Sequence, residues 1–169
     1  MNQLALLTLG ETIILPKMGF FDPTNPKHIK KFVAYEDRED FVERILPVTK
    51  QVNIVQELKM TYFNLAENHI SDREICQELP NGFVFEDASI FWAHLSNMVD
   101  CQLDGRSGTL LNSVYRNNFY VRGINGEIFV VSISFNSAYN KWGLGTLLFN
   151  RYFNYAGFRI FSASSWGQK

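Results

Sequence analysis

Three histidines, two cysteines and one Ser-His-Asp trio are the side chains of this sequence that could carry chemistry. His28, His69 and His94 lie in three separate segments, no pair has metal-ligand spacing, and none sits in a nucleophile motif. Ser89, His94 and Asp100 could be assembled into a hydrolytic triad, but any chain this long offers such a trio. His94 lies beside the apolar face of an expected helix and reads as structural. Cys76 and Cys101 have no second cysteine at metal-ligand spacing, and a disulfide framework needs more of them. Cys76 falls among apolar residues, which predicts a buried free thiol. The glycines of GRSG (105–108) and GLG (143–145) form no phosphate loop, because no lysine-serine pair follows. Residues 120–162 hold no acidic cluster with calcium-loop spacing, so calcium-dependent sugar binding is not expected. The expectation is a non-enzyme with no metal and no cofactor.

The elements that would position a site are readable in part. Residues 4–15 form an apolar segment, expected as a strand. FFDPTNPKH (20–28), with two prolines, is expected as a loop. EDREDFVERIL (36–46) places Phe41, Ile45 and Leu46 on one helical face and ends before Pro47. SDREICQEL (71–79) opens with Ser71 and Glu74 three positions apart, the pattern of a capping box. In FEDASIFWAHLSNMV (85–99), Asp87 is the expected cap, and Phe91, Leu95, Met98 and Val99 recur at helical spacing. Two β-prone runs flank Asn125-Gly126 in NFYVRGINGEIFVVSISF (118–135), which predicts a hairpin. KWGLGTLLF (141–149) and FRIFS (158–162) are expected as further strands. Helices in the N-terminal two thirds and antiparallel strands with long loops in the C-terminal third imply an α+β fold.

The chain has 169 residues and a net charge of −1, enough for one domain with a real core. No basic excess points to nucleic acid. MNQLALLTLGETIILPKMGF is broken by Gly10, Glu11 and Pro16 and lacks a basic start, so no leader is expected, and no stretch is apolar enough to span a membrane. A cytoplasmic location follows only by default. Single-domain organisation is expected: a helical and scaffold part over 1–123, a hairpin and variable region over 124–162, and a tail over 163–169.

The anomaly is the last third. More than half of the aromatic residues fall after position 114, together with Asn117, Asn118, Asn125, Asn136, Asn140, Asn150 and Asn154. Antibody combining sites share this mixture, in which rings supply rigid contact area and small polar residues supply adaptable hydrogen bonds. The competing reading is a sheet with an aromatic core and asparagine-rich turns.

LLTLGETIILP (6–16), the stretch from Ser71 to Gly123, GEIFVVSISF (126–135), KWGL (141–144) and GFRIFS (157–162) together resemble the variable proteins of diversity-generating retroelements, of the type found in small-genome bacteria and related archaea. The resemblance covers most of the chain. It implies a C-type lectin-like α+β domain and a ligand-binding role, with a surface rewritten by adenine-directed reverse transcription. Template asparagine codons can yield Asn, Tyr, Ser, Phe, Gly, Thr, Ala, Ile and Leu, but not Lys, Glu, Gln, Met or Trp. On that basis the diversified ligand-binding positions would be Ser134, Asn136, Ala138, Tyr139, Asn140, Gly143, Gly145, Thr146, Leu147, Tyr152, Phe153, Asn154, Tyr155, Ala156 and Phe158. Glu127, Lys141 and Trp142 lie outside the set, as the codon rule requires. Frame duty would fall to Phe129, Val131, Ile133, Trp142, Leu144, Arg159 and Phe161. This chain departs from the family frame at Phe135 and Asn154, near which the family carries tryptophan. The ligand implied is a protein or cell-surface molecule of unknown identity. Two alternatives stand beside this: a structural or assembly subunit with a fixed aromatic interface, and an enzyme similar to the formylglycine-generating enzymes, which need a reactive cysteine pair near the C-terminus.

Overall fold

A computed structural model describes residues 5–33, 36–150 and 153–163. Eleven strands and four helices follow one another as β1 (Leu7–Leu15), β2 (Gly19–Phe21), α1 (Pro26–Lys30), β3 (Phe32–Val33), α2 (Glu36–Arg44), β4 (Val52–Ile54), β5 (Leu58–Leu65), β6 (Ile70–Ser71), α3 (Asp72–Glu78), α4 (Ala88–Asp100), β7 (Asn117–Arg122), β8 (Ile128–Asn136), β9 (Lys141–Leu148), β10 (Phe153–Asn154) and β11 (Arg159–Ser162). Seven strands make one sheet in the order β1-β5-β11-β7-β8-β9-β3. The chain is therefore mixed α+β.

The expected segregation of helices from strands does not hold. Six strands interleave with the helices before position 72, and β1 and β5 enter the same sheet as the C-terminal strands. Nor is the sheet purely antiparallel, since β11 runs parallel to β7 and β3 parallel to β9. The reason is visible in β5, whose LKMTYFNL buries residues of both faces because it lies inside the sheet, so it carries no simple alternation to read. The segment 20–28 is not all loop. Asn25 caps α1 by accepting from Lys27 N at 3.1 Å, and Pro26 occupies the first helical turn, where a missing N–H costs nothing.

Other elements stand where local chemistry places them. The capping box exists: Ser71 N donates to Glu74 Oε2 (2.9 Å) and Glu74 N to Ser71 Oγ (3.3 Å). Asp87 caps α4 by accepting from Ser89 N (2.8 Å) and Ile90 N (3.2 Å). Phe91, Leu95, Met98 and Val99 are buried, and so are Trp92 and Ala93, so α4 is sunk in the core rather than merely amphipathic. The β7–β8 hairpin turns through Gly123–Glu127, with Asn125 (φ 56°) and Gly126 (φ 72°) both left-handed.

Side-chain alternation sends the sheet's two faces into two cores. One face carries Phe119, Phe129, Val131, Ile133, Phe135, Trp142, Leu144 and Phe161 against α4. The other carries Phe63, Tyr120, Val130 and Ile160 against Ile75 and Leu79 at α3. In β1 a bulge between Leu9 and Thr12 shifts the register by one residue. Leu7 thereby reaches the α3 core, while Leu15 reaches the α4 core. A Cβ on Gly10 at that bulge would meet the Tyr62 ring at 2.1 Å and the Tyr62 carbonyl oxygen at 2.8 Å.

Candidate ligand-binding face

The α3 core covers only one end of its sheet face. Beyond Val130, β8 and β9 present the cross-strand pairs Ser132–Gly145 and Ser134–Gly143 on that same side, followed in the other direction by Val130–Leu147. The side chains here are small, with Ser132 and Gly143 buried and Ser134 and Gly145 half-buried. A cleft opens beside them, lined by Arg116, Asn118, Ser132, Leu147, Phe153 and Phe158 among others. It is shallow, with a volume of only about 20 Å³, far below the usual size of a small-molecule pocket.

The floor of the cleft is a buried polar chain. Ser132 Oγ donates to Asn118 Oδ1 (2.6 Å), and Asn118 Nδ2 donates to Asn154 Oδ1 (2.8 Å). Asn154 Nδ2 donates to Asp72 Oδ1 (2.9 Å) and to the Ile70 carbonyl (3.2 Å). Asp72 also accepts from Tyr120 Oη (3.0 Å) and, through Oδ2, from Asn150 N (2.8 Å). One carboxylate thus holds both ends of the 150–154 segment. Burial raises the Asp72 pKa above the ordinary carboxylate range, and the bonds from Asn154, Asn150 and Tyr120 pull against that rise. Burial likewise pushes the nearby Cys76 thiol up to about 12, the reverse of what a nucleophile requires.

Above this floor stand exposed rings. Phe153 and Tyr155 are 59% and 43% exposed, and His69 packs edge-on against both at 6.3 and 5.1 Å. Tyr115 is half exposed, and its ring lies about 3.0 Å from where a Cβ on Gly157 (φ 90°) would sit, so only glycine fits beneath it. Tyr139, 64% exposed, projects from the β8–β9 turn.

The predicted positions divide. Ser134, Asn136, Ala138, Tyr139, Asn140, Gly145, Leu147, Phe153, Tyr155, Ala156 and Phe158 are exposed or half-exposed. Gly143 and Thr146 are buried, Thr146 because its side chain points into the α4 core beside Val131. Asn154 is buried in the Asp72 network, so it cannot present a side chain to a ligand. Tyr152 lies outside the described residues. The asparagines serve the backbone more than the surface. Asn117, Asn118 and Asn154 are buried and bonded, Asn125, Asn140 and Asn150 hold positive φ, and Asn136 accepts from Ala138 N and Tyr139 N across a turn. For Asn136 and Asn140, then, the turn explains the residue.

The frame residues Phe129, Val131, Ile133, Trp142, Leu144 and Phe161 are all buried. Trp142 Nε1 donates to the Gln102 carbonyl at 2.7 Å. Arg159 donates to the Thr109 carbonyl and stacks 4.0 Å over the Tyr62 ring, joining the 104–116 loop to β5. Both departures from the family frame, Phe135 and Asn154, fall at buried sites, the first against Trp142 at 5.3 Å. Arg116 was not legible as a surface residue of the cleft, because only the tertiary fold brings it beside Phe153 and Phe158.

Among the described residues no group of three His, Cys, Asp or Glu side chains could hold a metal ion, and no helix is long and apolar enough to cross a membrane. Comparison with protein-family models, with curated proteins and with solved structures finds no match to this chain.

Proposed function

We propose that this chain is a non-enzymatic ligand-binding protein whose C-terminal surface is diversified by adenine-directed retroelement mutagenesis on a C-type lectin-like scaffold. The observation that carries the reading is the difference in exposure across β8, β9 and the following loops. Most of the candidate variable positions are exposed or half-exposed, whereas the proposed frame residues other than the half-buried Arg159 are buried. The lectin-like arrangement is part of the proposal, supported by the last strand, β11, lying between β5 and β7 within an α+β domain.

The face offers exposed rings and small polar groups around a shallow cleft, a composition suited to a protein surface. Its floor is held by buried hydrogen bonds that do not involve the outer side chains, so those side chains can change while the loop stays in place. The positions proposed to vary are Ser134, Asn136, Ala138, Tyr139, Asn140, Gly145, Leu147, Phe153, Tyr155, Ala156 and Phe158.

The test is deep sequencing of the 3′ end of the gene and the DNA beside it in the source population. Substitutions concentrated at adenines of a neighbouring imperfect repeat, falling on these codons and sparing Trp142 and Arg159, are expected. A uniform gene without a repeat would overturn the proposal. The exposed Tyr139, Phe153 and Tyr155 would then be read as a fixed assembly interface, and a stable oligomer of the purified chain would support that second reading.

A further inference from the structure

The segment that carries α1 and β3 meets α4 around one serine. Ser96, on α4, is buried, and its Oγ accepts from Lys31 Nζ at 2.8 Å and lies 2.9 Å from His28 Nδ1. Lys31 Nζ also donates to the Ser96 carbonyl (3.3 Å) and to Asp100 Oδ1 (2.6 Å), so its three protons are spent on α4. His28 is 8% exposed, with the Phe21 ring at 4.5 Å and the Trp92 ring edge-on at 6.5 Å. Phe32, in β3, enters the same core 5.8 Å from the Trp92 ring. The segment itself is short. Helix α1 has five residues, and β3 pairs with β9 through Phe32–Trp142 and Val33–Gly143 alone.

We infer that His28, Ser96, Lys31 and Asp100 form an acid-sensitive latch that closes α1 and β3 on the sheet edge, and that protonation of His28 opens it and uncovers β9 at Trp142 and Gly143. In either neutral tautomer the ring and Ser96 Oγ share one hydrogen bond without conflict. A protonated ring must donate from Nδ1 to an oxygen that already accepts from an ammonium, so two cations face one hydroxyl. From its own segment Lys27 and Lys31 face the ring, from the turn before it Asp22, and from α4 Asp100. Both carboxylates already have partners. Asp100 is paired with Lys31, and Asp22 accepts from Thr24 N (3.0 Å) and Thr24 Oγ1 (2.6 Å). Burial, and after it the charges of Lys31 and Lys27, lower the His28 pKa against the opposing pull of Asp100 and Asp22. The closed form therefore has the lower pKa. Its contribution is complete above the ordinary histidine value of about 6.5 and is lost as pH falls below it. The latch does not rest on the reading of the ring face.

The test is amide hydrogen exchange of the full chain at about pH 7 and about pH 5, expressed as protection factors so that the intrinsic rates cancel, with the His28 ring followed by NMR. In acid, protection over residues 28–33 is expected to fall about ten-fold more than over β7 and β8. Titration of the other buried histidine, His94, loosens the whole core and so moves both regions together. His28→Gln should give the two regions the same pH response. Lys31→Met relieves Ser96 of the ammonium, so it should raise the His28 titration midpoint and lessen the selective fall, a readout that stands even where H28Q packs poorly. An equal fall in both regions of the wild type, a selective fall that persists in H28Q, or a His28 midpoint that stays put or drops in K31M would each overturn the latch.

Discussion

Strands β8 and β9 have two faces with opposite characters. Toward α4 they carry Phe129, Val131, Ile133, Phe135, Trp142 and Leu144, all buried, with Phe135 and Trp142 meeting edge to face. Toward the cleft the intervening residues are Ser132, Ser134, Gly143, Gly145 and Leu147. The difference teaches how one pair of strands can be rigid and variable together. Volume on the inner face is set by close packing, where a single methylene is felt. On the outer face Ser134, Gly145 and Leu147 are only half-buried, so volume there is less tightly set, and the loop alongside is held by Asp72.

The comparison breaks most clearly at Trp142. Trp142→Ala should cost about 3–5 kcal/mol, read by urea denaturation, because it empties the inner face and removes one of the two donors to the Gln102 carbonyl. A loss below about 1 kcal/mol would mean that the inner face is not the frame.

Asp72→Asn is next. The variant keeps the shape but turns an amide toward donors, and it should lose about 1–3 kcal/mol. Amide exchange of Asn150 should accelerate more than that of β8. The pH dependence has a defined sign. The folded-state pKa of Asp72 is raised, so the wild type binds the proton more readily folded than unfolded. Its stability relative to the non-titrating variant therefore falls as pH rises from the ordinary carboxylate range through the raised pKa, and is level above it. A gap that widens with pH would contradict the buried-carboxylate clamp.

His94 tests the inner face by charge. It is buried among Leu15, Met60, Phe91 and Phe119, neither ring nitrogen has a partner, and burial lowers its pKa. Because the folded pKa is lowered, His94 contributes stability above the unfolded value of about 6.5, and that contribution is lost as pH falls below it. His94→Leu should match or exceed wild-type stability at neutral pH, and its advantage should grow toward pH 5, measured by thermal melts across that range.

The smallest effect belongs to the outer face. Tyr139→Ala, Phe153→Ala and Tyr155→Ala together should move the melting temperature by only a few degrees, since exposed substitutions cost about 0.5 kcal/mol or less each. A collapse of stability would make the rings core and end the distinction between the faces.

Much of the scaffold was legible because its signals are local. A capping box, an Asp cap, an Asn-Gly turn and helical spacing each act within a few residues, and Ser71–Glu74, Asp87, Asn125-Gly126 and Phe91–Leu95 all appear in the places their neighbours dictate. The frame residues Phe129, Val131, Ile133, Trp142, Leu144 and Phe161, expected from the resemblance, are buried. The site was only half legible. Rings and asparagines look alike in composition whether they turn a chain, line a floor or face outward, so the buried Gly143, Thr146 and Asn154 could not be told from the exposed Tyr139 or Phe153.

By itself the sequence determined that this chain is mixed α+β, where three of the four described α-helices begin, and that a hairpin turns at Asn125-Gly126. Those outcomes follow from propensity, capping and periodicity, which are written in neighbouring residues. The tertiary structure decided that β11 returns to the middle of the sheet, that Asn154 reaches Asp72 across 82 positions of sequence, and that Arg116 lines one cleft with Phe153 and Phe158. These depend on which distant segments meet, and such meetings are selected by the packing of the whole chain rather than by any local stretch of it.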